Sequence, residues 1–83
     1  MKFIFRKPTS RKSKLRGRAL RERAENLLGI ADRYCREENG RYSDTGYEIY
    51  IRYSEFMTEA AKCFGFRNID ELERYEFIHG VKL

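Results

Sequence analysis

Nine lysine or arginine side chains and not one carboxylate occupy the first 21 residues: Lys2, Arg6, Lys7, Arg11, Lys12, Lys14, Arg16, Arg18 and Arg21. From Glu22 to Leu83 nine further cations face thirteen Asp or Glu, so a segment of charge +9 precedes a body of charge −4, which together make the net +5. Clustered ammonium and guanidinium groups displace the condensed counterions of a polyanion, an attraction that needs no particular fold. The partner this predicts is nucleic acid, DNA or RNA, held mainly through its phosphates. Arg6, Lys7, Arg11, Lys12, Lys14, Arg16, Arg18 and Arg21 are the candidate contacts, with Thr9, Ser10 and Ser13 as hydroxyl donors to phosphate.

A second constellation is aromatic. Tyr34, Tyr42, Tyr47, Tyr50, Tyr53 and Tyr75 are interleaved with Arg33, Arg36, Arg41 and Arg52, a mixture that can stack on unpaired bases. Tyrosines at such spacing more often fill cores or interfaces, so only Arg41, Tyr42 and Arg52 are taken as secondary candidates.

For catalysis the inventory is poor. One histidine, no glycine-rich phosphate loop, no nucleophile motif and no facing pair of carboxylates predict a binding protein and not an enzyme. Cys35 and Cys63, with 27 residues between them and His79 far away, match neither a paired Cys-x-x-Cys zinc site nor a disulfide framework, so neither metal nor cofactor is expected. Phe3-Ile4-Phe5 is too short for a signal core and precedes the charge cluster, and no run approaches membrane-spanning length. An intracellular location, in cytoplasm, nucleoid or nucleus, with reduced thiols, follows as the expectation. An acid-free N-terminus carrying Arg and Ser also resembles an organellar transit peptide.

The elements that must position these groups read as helices. Pro8 removes an amide donor and forces Lys7 toward extended geometry, so residues 1–17 read as a flexible basic arm divided by Pro8 and Gly17, with Phe3 and Phe5 on one face of its tip. From Arg18, Leu20, Ala24, Leu27, Leu28, Ala31, Tyr34 and Cys35 form one apolar stripe at helical period, ended by Asn39-Gly40. Gly29 lies inside this helix, where a close helix crossing would account for it.

Residues 47–53 read two ways. As a strand, Tyr47, Ile49, Ile51 and Tyr53 alternate with Glu48, Tyr50 and Arg52; as a helix, Tyr47, Tyr50, Ile51, Ser54, Met57, Ala60, Ala61 and Phe64 share a face. The helical stripe runs on without a breaker to Gly65, which favours one helix over about 45–64 with Thr45 and Glu48 as a capping box. Asn68 caps a last short helix with Ile69, Leu72, Tyr75, Phe77 and Ile78 on its apolar side, closed by His79-Gly80.

The predicted architecture is all-α: an antiparallel helical hairpin plus a short third helix in a domain over residues 18–83, preceded by an extended basic arm over 1–17. With the turn near residue 42, Cys35 falls beside residue 49 and Cys63 beside residue 21, about 20 Å apart and out of disulfide reach. Residues 21–28, Arg-Glu-Arg-Ala-Glu-Asn-Leu-Leu, following a basic arm, are similar to the helical hairpin of the zinc-ribbon protein subunit of archaeal ribonuclease P. The paired Cys-x-x-Cys ribbon of that family is absent, and no functional residue is carried over. A domain of this size also gains from a homodimer or from a place in a nucleoprotein particle. The alternative is a protein-interaction, assembly or inhibitor module whose basic arm docks on an acidic partner.

Overall fold

The computed structural model describes residues 4–83. Lys2 and Phe3, assigned above to the arm, lie outside the described residues. Three helices make up the fold: α1 over Arg11–Tyr34, α2 over Asp44–Cys63 and α3 over Ile69–His79. The helical alternative for residues 47–53 is the one realised.

Helices α1 and α2 form the antiparallel hairpin, and they meet along a seam of small side chains. Gly17, Ala24 and Ala31 recur every seven residues on α1 and are its only fully buried residues. On α2 the buried positions are Gly46, Met57, Ala60 and Ala61. A seven-residue period keeps one strip of a helix against its partner over its whole length, and small side chains let the backbones approach. Gly46 touches Cys35, and Gly17 touches Cys63 and the Phe64 ring. These two contacts place the hairpin's centre near residue 40, so Cys35 is opposite residue 46 and not 49, and Cys63 is opposite residue 17 and not 21. Both thiols are free and half-buried. Gly29, expected at a close crossing, has nothing near its Cα side and faces solvent.

The largest correction concerns the arm. Helix α1 begins at Arg11, seven residues before the expected Arg18, and Gly17 is a seam residue instead of a divider. Ser10 caps it, its hydroxyl accepting the Ser13 N–H at 3.1 Å. The Ser13 hydroxyl in turn donates to the Cys63 carbonyl at 2.8 Å, fastening the first turn of α1 to the end of α2. At the other end α1 stops at Tyr34, well short of Asn39-Gly40. Residues 35–43 form a small looped hairpin instead, with an Arg36–Tyr42 bridge and Gly40 at its turn.

Helix α2 is capped by Ser43, whose hydroxyl accepts the Gly46 N–H, so Ser43 replaces Thr45 as the cap. It ends in a Schellman turn: Phe66 N–H bonds the Ala61 carbonyl and Gly65 N–H bonds the Lys62 carbonyl. Gly65 sits at φ 97°, and a Cβ there would lie 2.2 Å from the Lys7 carbonyl oxygen. Only glycine satisfies both the left-handed turn and the extended segment crossing over it. Helix α3 is capped by Asn68, whose side chain accepts the Glu71 N–H at 2.9 Å, as its sequence predicts. The Glu71 carboxylate reaches back to Arg67 N–H and the Arg67 guanidinium instead of completing a capping box on Asn68. The core of Ala24, Met57, Ala60, Ala61, Phe64, Phe66 and Leu72 lies where α1, α2 and α3 converge.

Candidate nucleic-acid interface

The segment before α1 is bound to the body. Lys7 N–H donates to the Gly65 carbonyl at 2.8 Å, and Ile4 packs on the core. Arg6 donates from Nε to the Phe64 carbonyl at 2.9 Å and lays its guanidinium over Phe66 and Tyr75, 5.2 and 4.9 Å from the ring centroids. Cation–π contacts and a carbonyl bond occupy this side chain in anchoring the chain. Of the candidate contacts, Arg6 is thus a bolt between the N-terminal segment and α3.

Arg21 is also engaged. Its guanidinium pairs with Glu76 through both terminal nitrogens and with Glu25 through Nε, and both Arg21 and Glu76 side chains are only 12% exposed. The Glu76 hydrogen bond and charge hold the Arg21 pKa above its ordinary value against burial. Burial pushes the Glu76 carboxyl up, but hydrogen bonds from Arg21 and from Leu83 N–H, with the charges of Arg21 and Lys82, outweigh it and hold the pKa below the usual range. This cluster closes the C-terminal segment onto α1.

The other six candidates at this end remain exposed. Lys7 stands on the bound segment; Arg11, Lys12, Lys14, Arg16 and Arg18 stand on the first two turns of α1. Among the described residues none of the six forms a salt bridge, and each ion pair there involves Arg21 or a cation beyond it. The first turn of α1 holds no acidic residue. Cations crowd the positive pole of a helix dipole, a placement that disfavours the helix unless an anion sits there. Lys7, Thr9 and Lys14 share an open groove of about 340 Å³ with Arg6 and Pro8.

The secondary candidates lie at the opposite end. Tyr42 donates its hydroxyl to Asp32, which also accepts from Arg36, and the Arg36 guanidinium lies 4.5 Å from the Tyr42 ring centroid. The hydrogen bond from Tyr42, then that from Arg36, lowers the Asp32 pKa, and the same bond raises that of Tyr42. The rings of Tyr42, Tyr50 and Tyr53 pack one against the next, tilted, with centroids 5.7 and 5.5 Å apart. Arg41 is exposed at the loop tip, and Arg52 lines a separate hollow with Arg23, Leu27 and Phe56. The structure thus brings Lys7 and the α1 cations together and leaves Arg41, Tyr42 and Arg52 apart from them. The His79 and Tyr75 rings pack tilted against each other, their centroids 4.2 Å apart.

Sequence reasoning missed Arg23, whose guanidinium lies over Phe56, and the role of Gly17. The Gly17, Ala24, Ala31 spacing was the signal for the seam that starts α1 early. Among the described residues no three His, Cys, Asp or Glu side chains gather as a metal site, and no helix is long and apolar enough to cross a membrane. Comparison with known protein families, with curated proteins and with solved structures gives no match to this chain.

Proposed function

We propose that the protein is a non-enzymatic nucleic-acid-binding module that grips phosphates with Lys7, Arg11, Lys12, Lys14, Arg16 and Arg18. The observation that carries this reading is the set of six exposed cations without acidic partners among the described residues, five of them within the first eight residues of α1. A single acid among them would have relieved the repulsion at the helix start. Its absence leaves that end short of negative charge, and a phosphate backbone supplies it through counterion release.

Fluorescence anisotropy against salt tests the reading. With about five or six phosphates neutralised, log K falls with log[salt] at a slope of about −5 for duplex DNA. Replacing Lys12, Lys14, Arg16 and Arg18 together by Gln flattens the slope to about −1 to −2. No binding at low salt, or a flat profile for the native chain, overturns the proposal. Deleting residues 1–17 is not a clean test, because Ser13 and Gly17 belong to the hairpin.

A further inference from the structure

The cations of α1 are not spread evenly round its axis. At about 100° per residue, Lys12 and Arg16 fall within about 40° of each other, and Arg11, Lys14 and Arg18 within about 60°. The centres of these two rails stand about 150° apart. The strip between them holds Leu15, 52% exposed, and Ala19, also exposed. The opposite side of the helix, with Ser13, Gly17 and Leu20, is the side laid against α2 and the core. The start of α1 therefore points an apolar strip outward between two rows of positive charge.

Resting on the proposed nucleic-acid function, we infer that the first two turns of α1 enter the major groove of duplex DNA. A helix that lies on one strand needs cations on one flank, whereas one seated between two strands meets phosphates on both. A helix with its side chains is about 10–12 Å across, and the B-form major groove is about 12 Å wide. The strip of Leu15 and Ala19 then faces base edges, where apolar side chains contact thymine methyl groups. The A-form RNA major groove is too narrow and deep to admit this helix. A single strand is gripped through stacking on aromatic rings, and the exposed tyrosines Tyr34, Tyr47 and Tyr50 are at the far end of the hairpin. Glu22 follows Leu15 by seven residues and closes the strip, which limits entry to the N-terminal end of the helix.

The test measures the full chain against a 20-base-pair DNA duplex, an RNA duplex of matching sequence and single-stranded DNA, at one salt concentration. The expected result is DNA duplex binding about tenfold or more tighter than RNA duplex binding, displaced by methyl green from the major groove and not by netropsin from the minor groove. Ala19→Trp adds bulk to the strip without changing charge. It weakens duplex DNA binding about tenfold while single-strand binding and the helical circular dichroism stay unchanged. Equal affinity for the two duplexes, displacement by netropsin, or an Ala19→Trp protein that binds duplex DNA normally overturns the inference and leaves the phosphate-binding reading standing. Failure to bind any of the three overturns both.

Discussion

The two ends of the α1–α2 hairpin are built on the same close approach yet treat charge in opposite ways. At the turn end Gly46 lies against Cys35, and of the cations there Arg36 is matched by Asp32, itself bonded by Tyr42, while Arg33 and Arg41 stand exposed. At the open end Gly17 lies against Cys63 and Phe64, and among the described residues Arg11, Lys12, Lys14, Arg16 and Arg18 have no acidic partner. Arg21 marks the border, since pairing begins there with Glu25 and Glu76. Packing therefore does not require the open end to be left unpaired. The same seam is compatible with neutralised charge eleven residues further along α1, where Asp32 stands, so the cationic end is a feature separable from the fold.

The largest effects are expected at the glycines of the seam. A Cβ at Gly46 would stand 2.7 Å from the Cys35 carbonyl oxygen, a backbone atom that cannot swing aside. Gly46→Ala is expected to lose about 2 kcal/mol in urea denaturation, despite the better helix propensity of alanine. A Cβ at Gly17 meets the Cys63 Cβ and the Phe64 ring at 3.0 Å. These approaches are less tight than the 2.7 Å at Gly46, so Gly17→Ala loses less. Gly29→Ala, in open space, is the control and gains about 0.5–1 kcal/mol. Equal losses at positions 46 and 29 would show that the seam does not hold the hairpin's register.

The border pair gives the next effect. Glu76→Gln leaves the largely buried Arg21 guanidinium with Glu25 as its one carboxylate partner and costs about 2 kcal/mol at pH 7. The folded pKa of Glu76 lies below its unfolded value. Its contribution is therefore complete above the ordinary carboxylate pKa of about 4.3 and is lost as pH falls through the lower, folded value. Native protein should lose stability over that acid range more steeply than Glu76→Gln, as read from melting temperature against pH. Parallel curves would contradict the assignment.

The smallest effect separates charge from fold most directly. Replacing Lys12 and Lys14 by Gln removes two cations from the positive pole of α1 and should raise the melting temperature by about 2–4 °C in low salt, while weakening nucleic-acid binding. A fall in melting temperature would mean that these side chains serve the fold and not a partner.

Much of this was legible in the residues themselves. The 3.6-residue stripes at 20–35 and 47–64 determined two helices, because a side chain's face follows from its position in the chain. Asn68 and Gly80 bounded α3 through capping bonds that span only a few residues, and the division of charge at residue 21 was plain. These are local facts, decided within one or two turns.

What the sequence left open was decided across sequence separations of about 45 residues or more. Gly17 and the cations crowded at the helix's positive pole count against a helix start at Arg11, yet Ser13 bonding the Cys63 carbonyl and Gly17 against Phe64 stabilise it there. Arg6 and Arg21 read like their neighbours in the basic run, but Phe66, Tyr75 and Glu76 claim them. A cation's type and exposure potential belong to the sequence. Whether it stays available to a phosphate depends on which carbonyl, ring or carboxylate folding brings within reach, and only the packed hairpin with α3 against α2 settles that.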